Sequence, residues 1–154
     1  MDAPLFEPLA AKAAARDGTA LYFNASAVSL EGCGVLFLGP SAAGKSATAL
    51  GLLAHGAQLI SDDGVWLREG CLVPPEAAPH LIEARGIGLL NGGAIDVSAP
   101  LALVVDLGCA EDDRLPPRRI ATTPDEKVTL IRATFDPTLV PALLQFLRHG
   151  RAAP

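Results

Sequence analysis

Hydrophobic residues fall in short runs broken by glycine, proline and acidic residues, a pattern that predicts a sheet-rich chain with few helices. Leu21-Tyr22-Phe23 and Ala25-Ser26-Ala27-Val28-Ser29-Leu30 read as strands leading into Glu31-Gly32-Cys33-Gly34, a hairpin turn before the strand Val35-Leu36-Phe37-Leu38. Gln58 to Ser61 reads as the next strand, and Glu69-Gly70 turns a second hairpin between Val65–Arg68 and Cys71–Val73. Pro74 to Pro79 is a loop that cannot continue a ladder. Leu81 to Arg85 reads as a short strand, followed by the turn-rich Gly86-Ile87-Gly88 and Asn91-Gly92-Gly93. Leu101 to Leu107 is the most continuous apolar run, and Lys127 to Arg132 is one more strand.

A helical period is convincing in two places. One helix is expected from about Lys45 to His55, stopped by Gly56. The other is opened by Asp136-Pro137-Thr138, carries an apolar stripe at Leu139, Val140, Leu143, Leu144 and Leu147, and ends at Gly150. Residues 1–18 are interrupted by Pro4 and Pro8. Within them Ala10 to Arg16 suits about two helical turns, and the whole reads as a loosely held N-terminal arm or part of an oligomer contact. The charged, proline-containing Glu111 to Arg119 reads as a mobile segment. With so many hairpins, an α/β fold with a mixed, hairpin-rich sheet around the first helix fits better than a doubly wound sheet. The division expected is an arm over 1–18 and one domain over 19–154.

Between the strand Val35–Leu38 and the first helix lies Gly39-Pro40-Ser41-Ala42-Ala43-Gly44-Lys45-Ser46. It fits G-x-x-x-x-G-K-[ST], and a strand before it and a helix after it are the context the motif requires. Glycines let successive backbone N–H groups face one point, and the helix N-terminus adds partial positive charge. Lys45 can then reach nucleotide β- and γ-phosphates, and the Ser46 hydroxyl can ligate Mg²⁺. The motif points to ATP and Mg²⁺ without fixing the reaction.

Composition narrows the partners. The 154 residues are 50% hydrophobic and 19% charged, which excludes a disordered chain. A net charge of −5 argues against a general nucleic-acid binder. No apolar run reaches the roughly 18 residues of a membrane span, and Asp2, Glu7 and two early prolines do not make a signal peptide. A soluble, cytoplasmic protein is expected. Cys33, Cys71 and Cys109 are equally spaced but form no C-x-x-C pair, so neither zinc nor a disulfide framework is indicated.

Phosphoryl transfer from a phosphate loop needs carboxylates beside the γ-phosphate. Asp62 and Asp63 close the strand that follows the first helix, at the end of the sheet where the phosphates lie. Being adjacent, they cannot point the same way along a strand, so one can serve the metal and the other the nucleophile. Glu83 and Arg85 are two apart and share a face if the strand continues, either as a surface ion pair or as a further carboxylate and cation for the site. Arg114, Arg118 and Arg119 are candidate lid arginines should the chain be a small-molecule kinase.

Gly34 to Ser46, then Leu59-Ile60-Ser61-Asp62-Asp63-Gly64-Val65, then Leu81-Ile82-Glu83-Ala84-Arg85-Gly86-Ile87-Gly88 resemble, in order and spacing, the C-terminal catalytic domain of HPr kinase/phosphorylase. The similarity runs from about Thr19 to Leu107. It implies an HPr kinase/PEP carboxykinase-like fold and an ATP-dependent protein serine kinase acting on HPr, a phosphocarrier of a phosphotransferase system. Reversal by inorganic phosphate to give pyrophosphate is implied as well. By the resemblance Asp62 is the base that accepts the serine proton. Asp63, Ser46 and Glu83 organise Mg²⁺, and Lys45 and Arg85 neutralise phosphate charge. It also implies a hexamer in which the C-terminal helix, Thr138 to His149, presents HPr to a neighbouring site. Where the family carries a histidine this chain has Asn24, which hydrogen-bonds but does not titrate. That departure motivates the alternative of a nucleotide-binding sensor. Lys127 and Arg132 are all that matches a later family motif, and read by themselves they are ordinary strand charges.

Overall fold

The apolar runs become strands because the sheet they form is covered on both faces, which removes the need for strict alternation. In the computed structural model, which describes residues 3–152, the chain runs β1 (Leu5–Pro8), a 3-10 turn (Leu9–Lys12), β2 (Ala15–Asp17), β3 (Ala20–Phe23), β4 (Ser26–Leu30) and β5 (Cys33–Leu38). Then come α1 (Lys45–Leu53), β6 (Gln58–Ser61), β7 (Val65–Arg68), β8 (Cys71–Val73), β9 (Leu81–Ala84) and β10 (Gly88–Asn91). The last elements are β11 (Ala99–Asp106), β12 (Arg119–Thr122), β13 (Lys127–Arg132) and α2 (Leu139–His149).

Eleven strands form one branched sheet around β11. The start of β11, at Ala99 and Pro100, pairs antiparallel with β8 and continues through β7, β3 and β2. Its remainder lies parallel to β5 on one side and to β13 on the other. Beyond β5 come β4 and β6, both antiparallel pairings, and beyond β13 come β12 and β1. Residues along the middle layer alternate between two cores. Leu36, Leu38 and Val104 face Phe23, Leu67 and Leu72 of the other branch. Val35, Phe37, Leu103 and Val105 face Leu52 of α1 and Leu139 and Leu143 of α2. This period of two sandwiches the β5–β11 pair between a second sheet layer and the helices.

Both expected hairpins form, with Leu30↔Cys33 and Arg68↔Cys71 as their closing pairs. The first helix stops at Leu53, two residues short of the expected His55. Gly56 takes φ 99° and the backbone N–H of Ala57 returns to Leu52 O. The N-terminal expectation is corrected within the described residues. Ala10 to Arg16 is not two turns of α-helix, since a helix that short is marginal alone and the competing bonds are better. Leu9 is buried and Ala15–Asp17 pair with Ala20–Tyr22 of β3. Nor is the segment loosely held, because Leu5–Pro8 pair parallel with Arg119–Thr122 and Glu7 accepts a hydrogen bond from Arg132 at 3.0 Å. The segment 111–119 is anchored at its ends, where Arg119 donates twice to the Glu111 carboxylate at 2.9 and 3.0 Å. Leu81–Ala84 is a strand as expected, but its partner β10 was unforeseen and the two form a separate two-stranded sheet.

Candidate active site

Strands β5, β11 and β13 are parallel, so Leu38, Asp106 and Arg132 end at one edge of the sheet. Antiparallel pairing brings Ser26, opposite Phe37, and Ser61, opposite Ala27, to that same edge. In such sheets ligands bind beyond the carboxyl ends of the parallel strands. The loop 39–44 leaves β5 there and turns into α1, with Gly44 as the helix N-cap at φ 103° and no side chain capping it. The first N–H groups of α1 are therefore open to an anion. Thr48, fully buried, donates back to Gly44 O at 2.6 Å and fixes the first turn. Lys45 Nζ lies over its own loop and donates to Gly39 O at 2.5 Å and Pro40 O at 3.1 Å.

Asp62 and Asp63 lie in the bend just past β6 rather than on the strand, and their surroundings differ. Asp62 Oδ1 accepts from Ser26 Oγ at 2.5 Å and from Ser46 Oγ at 2.8 Å, while Oδ2 accepts from the Glu83 backbone N–H at 3.1 Å. That one carboxylate ties β4, α1, β6 and β9 together. Asp63 has φ 62°, a left-handed conformation tolerated by aspartate. It lines an open recess of about 450 Å³ with Asn24, Gly39, Pro40, Ser41 and Lys45. Partial burial raises the Asp63 pKa above the usual aspartate value, the negative charges of Asp62 and Glu83 add to the rise, and Lys45 opposes it.

The structure thus gathers Gly39 to Ser46, Asp62, Asp63 and the backbone of Glu83. Arg85 it does not bring in: β9 ends at Ala84, Arg85 sits exposed in the following turn, and among the described residues it forms no ion pair. Arg119, a candidate lid arginine, is held by Glu111 and by Glu7 at 3.7 Å. Arg132 bonds Glu7 and Lys127 sits over the Phe6 ring at 5.4 Å, the ordinary strand charges they were read as.

Three residues were missed. Ser26 gave no signal beyond its place in an alternating strand. Asp106 did give one, an acidic residue closing the longest apolar run. It is 3% exposed, accepts from Gly108 N–H at 2.8 Å through Oδ1, and lies 3.0 Å from Lys12 Nζ through Oδ2. That ion pair is off the hydrogen-bonding direction, leaving Oδ2 without an aligned donor. Lys12, which had no sequence signal, joins Asn24, Gly39, Pro40, Asp106 and Cys109 around a second recess of about 320 Å³. The two recesses share Asn24, Gly39 and Pro40 and so adjoin.

A phosphate loop at the carboxyl end of a parallel strand, with one carboxylate bonded to its serine and a second lining a recess with its lysine, defines a P-loop α/β protein. Residues 19–128 match the family described as HPr Serine kinase C-terminal domain, and the chain belongs to that family. It is 43% identical over 91 residues to the HPr kinase/phosphorylase of Geobacillus sp. (strain WCH70), covering 52% of this chain and 29% of that one. Over 69 residues it is 46% identical to the HPr kinase/phosphorylase of Shouchella clausii, covering 42% of this chain and 22% of the relative. The chain thus spans less than a third of the length of these relatives. The solved Hpr(Ser) kinase/phosphatase of Coxiella burnetii shares the fold with a TM-score of 0.68 at 23% identity, covering 82% of this chain and 93% of that one. No helix among the described residues is long and apolar enough to cross a membrane.

Proposed function

We propose that the chain is an ATP-dependent protein serine kinase acting on an HPr-type phosphocarrier, with phosphate-dependent reversal that releases pyrophosphate. The observation that carries this reading is the division of labour between Asp62 and Asp63 at the mouth of the phosphate loop. Loop N–H groups and the α1 N-terminus receive the triphosphate, and Lys45 exchanges its loop carbonyls for phosphate oxygens. The serine hydroxyl attacks the γ-phosphorus in line, the bond to the β–γ bridging oxygen breaks, and the hydroxyl proton passes to a carboxylate. Asp63 is the better acceptor. It faces the recess and holds a proton more tightly than a free aspartate, whereas both oxygens of Asp62 are engaged in accepting hydrogen bonds. The geometry therefore favours exchanging the roles implied by the resemblance, with Asp63 taking the proton and Asp62 its place at the metal.

Among the described residues no three His, Cys, Asp or Glu side chains form a ready-made metal cage. The donors beside the loop are nonetheless all oxygens, with Ser46 Oγ 2.8 Å from Asp62 Oδ1. That set suits Mg²⁺, a hard cation that keeps several waters and phosphate ligands. Ser46, Asp62 and Glu83 would hold it, and when bound with ATP it neutralises phosphate charge. Arg85 reaches the phosphates in this reading only if its turn closes on substrate. Residues 19–154 are the catalytic unit, and Leu5–Pro8 and Ala15–Asp17 brace it from the two ends of the strand order. ATP as donor implies the cytoplasm, and a hexamer with α2 presenting HPr to a neighbour follows from the resemblance.

The test is to incubate the protein with HPr, ATP and Mg²⁺, then with inorganic phosphate, and weigh HPr by mass spectrometry. One phosphoryl group on a serine, removed by phosphate, is expected, and Asp63→Asn abolishes transfer while retaining ATP binding. Tight ATP binding with no transfer to HPr overturns the kinase reading in favour of a sensor, the reading that Asn24 in both recesses supports.

A further inference from the structure

The connection from β13 to α2, residues 133–138, lies at the carboxyl end of a parallel strand and so shares the sheet edge of the phosphate loop. The N–H of Ala133 bonds Asp106 O at 3.0 Å, which ties the start of this connection to the end of β11. Its far end is a turn in which Asp136 Oδ1 accepts from Thr138 N–H at 2.8 Å, opening α2. Between these two fixed points stands Phe135, 45% exposed. Its ring lies on the phosphate loop itself. A Cβ built on Gly44 would meet Phe135 Cβ at 2.6 Å and Cγ at 2.9 Å, so the absent side chain of Gly44 is what lets the ring sit there. Gly44 is also the N-cap of α1, the helix end that receives the phosphates.

The aromatic side chain is thus seated against the residue that precedes the phosphate-binding N–H groups, and nearly half of its surface is open to solvent. A nucleotide held by its phosphates at α1 must extend its ribose and base away from the loop. We propose that Phe135 is the stacking platform for the base of the bound nucleotide, a specificity-determining residue beyond the region that matches the family, which ends at residue 128. This rests on the phosphate-loop reading above and adds the other half of the ligand. Among the described residues the polar side chains of this connection are Thr134, Asp136 and Thr138, and the Asp136 carboxylate is engaged in the turn. Stacking serves every base alike because each has a π-face, so the site selects for a nucleoside over bare polyphosphate but little between adenine and guanine.

Isothermal titration calorimetry with Mg²⁺ and three ligands, ATP, GTP and inorganic tripolyphosphate, tests the assignment on the full chain. Phe135→Leu keeps an apolar side chain over Gly44 but removes the π-face, and a thermal melt checks that it folds. The expected result is about tenfold weaker ATP and GTP binding, the loss of one base–aromatic stack. Tripolyphosphate affinity should be unchanged, and Phe135→Trp should bind ATP at least as well as the original chain. Equal ATP affinity in the original chain and Phe135→Leu overturns the base platform while leaving the phosphate loop intact. Equal losses for ATP and tripolyphosphate also overturn it, showing that Phe135 only props the loop. If the original chain binds neither ligand, the phosphate-loop reading fails and this proposal with it.

Discussion

At the residue scale the site turns on two adjacent aspartates made unequal by their neighbours. Asp62 is satisfied by two hydroxyls and a backbone N–H, whereas Asp63 meets partial burial and two like charges. The sign of the consequence is fixed. A carboxyl whose pKa is raised in the folded state binds its proton more tightly folded than unfolded. Ionising it therefore costs stability as pH rises through the window between the two values. In metal- and nucleotide-free protein, ¹³C NMR should find the Asp63 carboxyl titrating above the usual aspartate range, assigned by its loss in Asp63→Asn. Glu83→Gln removes one of the charges that raise it and should move that titration to lower pH. No movement would place Glu83 too far away to act on Asp63. The adjacency of Asp62 and Asp63 at the end of the strand after α1 was legible in the sequence. What surrounds each was not, because that depends on Ser26 and Glu83 arriving from elements remote in the chain.

At the element scale, α1 and α2 cover one face of the β5–β11 pair and touch at Gly51, where an added Cβ would lie 2.7 Å from Val140 Cγ2. Two effects compete in Gly51→Ala. Alanine is favoured over glycine inside a helix by about 0.8–1 kcal/mol, while overpacking a tight contact costs about 1–3 kcal/mol. The β-branched Val140 has few rotamers with which to yield, so overpacking should win. Urea unfolding should show the variant less stable by about 1 kcal/mol, and a gain in stability would mean α2 shifts freely on α1. Both helices and the two expected hairpins were readable because their signals are local, in the turn glycines, the apolar stripe and the loop motif. The unread strands β1, β2, β10 and β12 carry no such signal. Arg119–Thr122 is a strand because it is pinned between β1 and β13, and nothing within those residues announces it.

At the scale of the whole molecule, the N-terminal segment, which the sequence suggests is a loosely held arm or part of an oligomer contact, closes the two ends of the strand order, with β1 at one and β2 at the other. Between them the 3-10 turn carries Lys12 to the phosphate edge of β11. This placement joins chain ends to site across a separation that no local pattern can encode. It also makes a specific demand on Lys12, because Asp106 is buried and its Oδ2, which accepts no hydrogen bond, has that lysine as its charge partner. Breaking a fully buried pair by removing one partner costs about 3–5 kcal/mol through the charge left behind. The Lys12 side chain is 35% exposed, so water can partly replace it and the cost of Lys12→Met should be smaller, about 1–2 kcal/mol. Asp106→Asn added to Lys12→Met removes the stranded charge while keeping an oxygen for Gly108 N–H, and should recover most of the loss. A double-mutant cycle by urea unfolding reads this directly. If the two losses simply add, Lys12 stabilises the fold through its packing alone, and the pair does not fasten the N-terminal segment to the site.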